Sequence, residues 1–265
     1  MDYTLNIRGQ LVSLGHPQVM GIINATPDSF YAGSRKQNEE DIARRVRQIT
    51  DEGGTMIDVG ACSTRPGAVM ASQQEEMERL RIALQVVRRE QPNAIVSVDT
   101  FRPDVARMAV EELGADIIND VSEGADETML RMVARLRVPY ILMSTQPNLR
   151  LTLLAFAQKV QTLRDMGQKD IILDPGFGFG KTTEENFLLL NEMERLDTLG
   201  LPVLVGVSRK SMIWRTLDCT PNEALTGTIA LNTIALMKGA RILRVHDVRE
   251  AVECCKLYEQ LNMKH

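Results

Sequence analysis

A chain of 265 residues with 44% hydrophobic and 25% charged residues can bury a sizeable core, and this is the composition of an ordinary globular protein. Its net charge of −4 is spread along the sequence, which argues against nucleic-acid binding, and no apolar run approaches membrane length. The first ten residues are polar, without the apolar core of a signal peptide. Three histidines, and four cysteines that do not pair at metal-ligand spacing, predict reduced thiols, no zinc site and a cytoplasmic location.

Short runs rich in Val, Ile, Leu and Met alternate along the chain with longer, charged segments of helical length. Nearly continuous apolar runs are typical of strands buried on both faces of a parallel sheet. Two helix starts are marked by capping boxes, Thr182 with Glu185 and Thr220 with Glu223. We predict eight strands, at residues 18–26, 56–61, 95–100, 117–121, 139–144, 170–175, 202–208 and 242–247.

The strict alternation of about eight strands with about eight helices predicts an α/β fold. A closed (β/α)8 TIM barrel is the simplest arrangement, and a doubly wound open sheet is the alternative. One such barrel takes about 250 residues, so residues 1–265 are expected to form a single domain. Alternating apolar and polar residues around Arg8-Gly9 predict a short N-terminal β-hairpin, within residues 1–17, that caps the barrel bottom.

Nearly every predicted strand ends in a polar or charged residue. The C-terminal ends of barrel strands meet at one mouth, where active sites are built. One aspartate there could equally cap a helix, but the same pattern on seven strands favours a shared site. Mixed charge suits a heterocycle with N–H donors bound beside an anionic leaving group. The charged residues expected at the mouth are Asp58, Asp99, Asp174, Arg65, Lys210 and Arg244.

A glycine-rich segment, from Asp174 to Thr182, follows a predicted strand and opens a predicted helix. A phosphate-binding P-loop has this placement, but it needs four residues between its first glycine and its Gly-Lys pair. Only three residues separate Gly176 from Gly180. We therefore favour a barrel loop whose backbone lets a flat ligand approach closely, and the P-loop remains the alternative.

Seven motifs, in order from about residue 18 to residue 248, resemble those of the dihydropteroate synthases. They are Met20-Gly-Ile-Ile-Asn24-Ala-Thr26-Pro-Asp28-Ser-Phe30, Ser63-Thr64-Arg65-Pro66-Gly67, Ser97-Val-Asp99-Thr100, Ile118-Asn119-Asp120-Val121, Asp174-Pro-Gly-Phe-Gly-Phe-Gly-Lys181, Gly206-Val-Ser-Arg-Lys210-Ser211 and Arg244-Val-His246-Asp247-Val248. Any one of them would be a weak signal, but together they cover nearly the whole chain. The resemblance implies a reaction of folate biosynthesis: 6-hydroxymethyl-7,8-dihydropterin pyrophosphate and 4-aminobenzoate condense to 7,8-dihydropteroate, with loss of pyrophosphate.

The resemblance also implies a role for each matching residue, with Mg²⁺ as the cofactor and Asn24 as its expected ligand. Lys210, Asp99, Arg65 and Asp174 would form the catalytic group. The implied pterin-binding residues are Asp99, Asn119, Met143, Asp174, Gly206 and Lys210; those for pyrophosphate are Asn24, Thr64, Arg65, Arg244 and His246; those for 4-aminobenzoate are Thr64, Pro66, Phe179, Lys210 and Ser211. Pyrophosphate would leave before the arylamine attacks. The family resemblance further suggests a homodimer and a sulfonamide target.

The sequence departs from the family pattern at four places. Ala61 and Cys62 stand where a glycine and a glutamate are usual, Ala32 where an aspartate is usual, and Met143-Ser144-Thr145 where the family has Met-His-Met. Because the run from Thr64 to Pro66 is intact, we expect altered loop packing with function retained. Cys62 is expected to be a packing residue, with a reactive thiol beside Arg65 as the alternative.

Two other functions share parts of this pattern. A pterin-dependent methyltransferase would use the same barrel and the same Asp and Asn residues. It would have no use for the Ser63–Gly67 loop or the Ser208–Ser211 run, and both are present. A non-catalytic pterin-binding protein would fit the substitutions at Ala32 and Cys62, and it predicts binding without turnover.

Overall fold

The computed structural model describes residues 3–25, 35–62 and 70–262. An antiparallel hairpin of β1 (Thr4–Ile7) and β2 (Gln10–Ser13) precedes eight parallel strands that close into a barrel. The order around the barrel is β10-β3-β4-β5-β6-β7-β8-β9, so the last strand pairs with the first and the open-sheet alternative is excluded. The barrel strands are β3 (Gln18–Asn24), β4 (Met56–Gly60), β5 (Ile95–Asp99), β6 (Ile117–Asp120), β7 (Tyr140–Met143), β8 (Ile171–Asp174), β9 (Val203–Val205) and β10 (Ala240–Val245).

Helices follow the strands and form the outer layer. They are α1 (Arg35–Asp51), α2 (Gln73–Glu90), α3 (Pro103–Glu111), α4 (Glu127–Leu136), α5 (Leu149–Asp165), α6 (Thr183–Glu192), α7 (Ser211–Thr216), α8 (Leu225–Met237) and α9 (Val248–Asn262). Both predicted capping boxes are confirmed: Thr182 opens α6, whereas Thr220 opens a short 3₁₀ turn. Across the described ranges, no helix has the length and apolarity needed to cross a membrane.

The predicted strands are all present, but most are shorter than predicted at their C-terminal ends. The strand predicted at 202–208 spans only Val203–Val205, and the strand predicted at 242–247 spans Ala240–Val245. Polar residues such as Ser208, His246 and Asp247 therefore lie beyond the hydrogen-bonded ladder. The sequence pattern included them because the apolar run continues into the loop that forms the mouth.

The predicted N-terminal hairpin is confirmed, and its apolar side chains pack against the lower barrel interior. Arg8 and Gly9 both have positive φ, as a two-residue hairpin turn requires. Arg8 also forms a two-point ion pair with Asp116, at 2.6 Å from Nε to Oδ1 and 2.8 Å from Nη2 to Oδ2. This pair ties the hairpin to the loop that precedes β6, so the barrel bottom is closed.

The barrel interior changes from apolar to polar over a single step of two residues. Successive side chains of a strand point to opposite faces, so residues i and i+2 share the interior. The lower layer consists of Met20, Met56, Ile117, Ile141, Ile172, Leu204 and Ile242, packed with Leu5, Ile7 and Leu14 of the N-terminal segment. Two residues further along the same seven strands come Ile22, Asp58, Asn119, Met143, Asp174, Gly206 and Arg244. The fold therefore stacks a polar layer directly on a sealed apolar floor.

Candidate active site

An ion-pair cluster at the centre of the polar layer joins β4, β5 and β10. Arg244 Nε donates to Asp58 Oδ2 at 2.7 Å, and its Nη2 donates to Asp99 Oδ2 at 3.1 Å. Asn119 Nδ2 donates to the same oxygen of Asp58 at 3.2 Å. Asp58 is fully buried, whereas the side chains of Asp99 and Arg244 are 17% and 20% exposed. Asp99 and Arg244 therefore face the mouth, and Asp58 holds Arg244 and Asn119 from below.

Three buried polar atoms in this layer have no hydrogen-bond partner within the described part of the chain: Asp58 Oδ1, Asn119 Oδ1 and Ser97 Oγ. Buried polar atoms in folded proteins are nearly always paired, so a group of orphans at one level indicates room for a ligand or for ordered water. Asp58 was predicted at the mouth but had no assigned role, and Ser97 was not singled out as a site residue. Their place two residues after an interior apolar residue was the signal that could have found them.

Lys210 also lies at the mouth, just beyond β9, the strand that pairs with β10. Its Nζ donates to the carbonyl of Phe177 and lies 4.6 Å from the centre of the Phe179 ring. Gly206 stands beside it, since a Cβ built there would lie 4.0 Å from the Lys210 ammonium. The lysine thus bridges the polar layer and an aromatic wall, in contact with residues predicted for two different ligands.

Burial and neighbouring charges shift the pKa values of the ionisable groups at the mouth. Burial raises the pKa of Asp99 to about 7, with Arg244 opposing and Asp58 adding to the shift. Burial also raises the pKa of Asp174, against the opposing charge of Lys210. Burial lowers the pKa of Lys210 to about 8, with Asp174 opposing. Burial works to lower the pKa of Arg244, but Asp58 and Asp99 outweigh it, so its pKa is raised. Such paired, opposed shifts in a cleft are typical of a functional site.

The glycine-rich loop after β8 is shaped by close approach of the protein's own groups. Gly176 has φ +69°, and a Cβ there would lie only 2.0 Å from the carbonyl oxygen of Ser144. Gly178 has φ +81°, and a Cβ there would lie 2.9 Å from Lys210 Cδ. Lys181 donates to the carbonyls of Ser144 and Gly176, at 3.0 Å each. These contacts disfavour the P-loop alternative, because the lysine is committed to backbone oxygens.

Three polar residues of the strand-end motifs serve the fold and not the mouth. Asp120 accepts from the hydroxyl of Tyr140 at 2.5 Å in the layer between barrel and helices. Arg209 pairs with Asp247, at 2.8 Å between Nη2 and Oδ1 and 2.9 Å between Nε and Oδ2. This pair connects the ends of β9 and β10. The prediction that the polar strand ends share one site is therefore wrong for these three residues.

A cavity of about 370 Å³ opens beside β3 and the end of β10. Arg45 of α1 donates to the carbonyls of Ile22 at 3.2 Å and His246 at 2.6 Å, which clamps the seam where the barrel closes. The register places Asn24 beside Gly60 and Gly60 beside Asp99, so this cavity and the ion-pair cluster share one rim. Its lining is Ile22, Ile23, Asn24, Asn38, Asp41, Ile42, Arg45 and His246.

The other predicted site residues divide into two groups. Met143 is buried at the end of β7 and pairs in register with Asp174, and Ser211 is the first residue of α7, directly after Lys210. Several predictions concern positions that lie outside the described residues. These are Thr64, Arg65 and Pro66 with the rest of the Ser63–Gly67 run, Ala32, and the Thr26–Phe30 part of the first motif.

Both flanks of residues 63–69 are held by α2 and the loop after β5. Arg79 Nη1 donates to the carbonyl of Ala61 at 3.2 Å, and Arg102 Nη2 donates to the carbonyl of Ala71 at 2.7 Å. Arg102 also pairs with the fully buried carboxylate of Glu76. The chain therefore leaves β4 and enters α2 at fixed points beside the mouth.

Known proteins resemble this chain over nearly its whole length. Residues 20–246 match the family described as pterin binding enzyme. The dihydropteroate synthase of Escherichia coli strain K12 is 37% identical over 267 aligned positions, which cover 95% of this chain and 94% of that protein. The Xanthomonas albilineans dihydropteroate synthase solved with 4-aminobenzoic acid superposes with a TM-score of 0.92 at 34% identity over 100% of both chains. The same enzyme in complex with 7,8-dihydropteroate gives a TM-score of 0.88 at 32% identity, covering 99% of this chain and 100% of that one.

Proposed function

Because the chain belongs to the dihydropteroate synthases, a family of pterin-binding transferases, we propose that it condenses 6-hydroxymethyl-7,8-dihydropterin pyrophosphate with 4-aminobenzoate to form 7,8-dihydropteroate and pyrophosphate. The observation that carries this proposal is the polar layer on the apolar barrel floor. It combines buried acceptors, two cations and orphan polar atoms in one cavity. That combination suits a flat heterocycle rich in N–H donors, bound beside a leaving anion.

The pterin ring would lie across the polar layer. Its N–H donors would meet the carboxylates of Asp99 and Asp174, in charge-assisted bonds of the stronger kind, and also the orphan Oδ1 of Asn119. Lys210 would donate to a ring acceptor. Met143 and the open backbone at Gly206 would supply the flat walls, with Asp58 holding Asn119 and Arg244 in place from below.

The pyrophosphate would lie toward the seam of the barrel, against Arg244, His246 and Asn24, with Arg65 and Thr64 contributing from the Ser63–Gly67 run. No group of three or more His, Cys, Asp or Glu residues in the described ranges could hold a metal ion. Mg²⁺ commonly binds through one or two protein ligands together with substrate phosphates, which fits the exposed carboxamide of Asn24 as a lone protein ligand. When bound, Mg²⁺ would offset charge on the pyrophosphate oxygens.

The 4-aminobenzoate pocket would form around Lys210, Phe179 and Ser211, with Thr64 and Pro66 from the Ser63–Gly67 run. The ammonium of Lys210 already lies over the Phe179 ring, so a benzoate ring can stack beside a fixed cation. The hydroxyl of Ser211 would bind the carboxylate. We propose that sulfonamides, which mimic 4-aminobenzoate, compete for this pocket.

The proposed substitution is dissociative. The C–O bond to pyrophosphate breaks with its electron pair on the leaving oxygen, and the pterin ring delocalises the positive charge of the methylene carbon. The arylamine nitrogen then forms the C–N bond and releases a proton to solvent. Because the arylamine is weakly basic, this chain needs no strong general base, and its residues act through positioning and fixed charge.

We expect a narrow, bell-shaped pH dependence of kcat/KM for the pterin pyrophosphate at saturating 4-aminobenzoate. Asp99 is a charge-assisted acceptor for a pterin N–H when it is ionised and a weaker, neutral acceptor when it is protonated, so activity rises as pH passes its pKa of about 7. Lys210 carries its positive charge and donates a charge-assisted bond only when protonated, so activity falls above its pKa of about 8. A flat profile from about pH 6 to about pH 9 would contradict these roles.

A homodimer is also proposed. Exposed apolar side chains on the last two helices support it, since Ile234, Met237, Leu257 and Leu261 are between 40% and 76% exposed. Sedimentation velocity is expected to give the mass of two chains. A single-chain mass across the micromolar range would reject the dimer without affecting the proposed reaction.

The function is tested by mixing the purified protein with both substrates and Mg²⁺, and by assaying dihydropteroate and pyrophosphate together. We expect equal amounts of the two products, and an Asn24→Ala variant that needs more Mg²⁺ for half-maximal rate. Pterin binding without product would favour the non-catalytic alternative. Methyl transfer to or from the pterin would favour the methyltransferase.

A further inference from the structure

Glu123, in the loop after β6, has a carboxylate that binds the loop after β7. Its Oε1 accepts from the backbone N–H of Thr145 at 2.8 Å, from Ser144 Oγ at 3.2 Å and from Gln146 Nε2 at 3.2 Å. Its Oε2 accepts from Thr145 Oγ1 at 2.5 Å. Burial works against ionisation, but these four donors outweigh it and lower the pKa of Glu123. The carboxylate is therefore charged at neutral pH, and one side chain fixes three consecutive residues.

The backbone at Glu123 is in the left-handed region, with φ +62°. L-residues with a Cβ rarely adopt this conformation, and glycine occupies it without penalty. The next residue, Gly124, has φ +59°, and its carbonyl accepts from Lys159 Nζ at 2.7 Å. A glutamate held in a glycine-like conformation points to a role for its side chain.

Ser144 connects this carboxylate to the pterin layer. Its side chain is only 1% exposed, and its Oγ donates to Glu123 on one side. Its backbone N–H donates to the carbonyl of Asp174 at 2.9 Å. Its own carbonyl accepts from Lys181 Nζ at 3.0 Å and abuts Gly176. Every polar group of Ser144 is thus bound, by a carboxylate on one flank and an ammonium on the other.

We propose that Glu123 and Lys181 clamp Ser144 from two sides and thereby fix Asp174 for pterin binding, so that Glu123 is a positioning residue. The proposal rests on the proposed function, because it assigns Asp174 to the pterin. Among the described residues, the carboxylate of Glu123 bonds to Ser144, Thr145 and Gln146, none of which is assigned to a substrate. Removing its charge would let the end of β7 shift against β8, and the Asp174 carboxylate would move with the peptide to which Ser144 is bonded.

The test compares Glu123→Gln with wild type in steady-state kinetics and in titrations of the pterin pyrophosphate alone. Loss of about one hydrogen bond to a charged acceptor should raise KM and Kd for the pterin about fivefold. The KM for 4-aminobenzoate should change less than about twofold, because the Glu123 carboxylate bonds to Ser144, Thr145 and Gln146 and to neither Phe179 nor Ser211. Phe179 meets the clamp through its backbone carbonyl, which accepts from Lys181 Nζ at 3.3 Å, and Lys181 is unchanged in the variant. Glu127→Gln is the matched control: Glu127 is exposed on α4, pairs only with Arg131 among the described residues, and should leave both constants unchanged.

Glu123→Gly separates positioning from folding. Glycine suits φ +62°, so this variant should lose less thermal stability than Glu123→Gln and yet show the same rise in pterin KM. A lower Tm with an unchanged pterin KM in both variants would overturn the proposal, and so would an equal rise for both substrates. A wild-type protein that binds no pterin pyrophosphate would instead overturn the proposed function.

Discussion

Replacing Lys210 with methionine is expected to lower kcat/KM for the pterin pyrophosphate by about 10²–10³-fold. Lys210 touches the Phe177 carbonyl and the Phe179 ring and lies beside Asp174, so one ammonium serves both proposed pockets. Methionine keeps most of the unbranched length and the packing on Phe179, which isolates the loss of charge. Steady-state kinetics with each substrate varied in turn would measure the effect.

Lys169→Met is the control for this variant. Lys169 is exposed just before β8, at the end of the barrel opposite the mouth, and its replacement should change kcat/KM less than about twofold. If Lys210→Met kept activity within about threefold of wild type, the bridging role assigned to Lys210 would be wrong.

Asp99→Asn is expected to reduce activity and to stabilise the substrate-free protein. The asparagine loses a charge-assisted acceptor for the pterin, so kcat/KM should fall by about 10²-fold. Burial raises the pKa of Asp99 from an ordinary 3.8 to about 7, which means that ionisation in the folded state is unfavourable. Arg244 keeps its bond to Asp58 at 2.7 Å in the variant, so the cluster is not left without an ion pair.

The pH dependence of this stability gain follows from the direction of the shift. The folded protein binds the Asp99 proton more tightly than the unfolded chain does, so the carboxyl reduces stability as pH rises from about 4 through about 7. The Tm gain of Asp99→Asn should therefore be at least about 2 °C near pH 8 and smaller near pH 5. A Tm that falls at both pH values would show that the Arg244 pair outweighs the cost of burial.

The barrel could be predicted from the sequence because its strands are buried on both faces and appear as nearly continuous apolar runs. The site was harder to predict because its residues depend on the exact register of each strand. Asn119 and Asp120 are adjacent in one motif, but successive residues point to opposite faces, so Asn119 faces the cavity and Asp120 faces Tyr140. Family resemblance supplied Asn119 as a site residue and left Asp58 without a role.

Contacts between residues far apart in the sequence could not be predicted from residue patterns or motif spacing. Glu123 and its partners are 21 to 23 residues apart, and nothing in the local sequence links them. The glycines of the loop after β8 were predicted to admit a ligand, but Gly176 makes room for the Ser144 carbonyl and Gly178 for Lys210. Only the packing of neighbouring loops shows whether such a glycine makes room for a ligand or for the protein's own groups.

A crystal structure of the protein with the pterin pyrophosphate, in the absence of 4-aminobenzoate, tests most directly whether the polar layer is the pterin site. We predict that the N–H edge of the ring lies within hydrogen-bond distance of Asp99, Asn119 and Asp174, with the pyrophosphate against Arg244. A pterin bound outside the barrel mouth, or turned so that its N–H edge faces Phe179, would contradict the assignment of these residues.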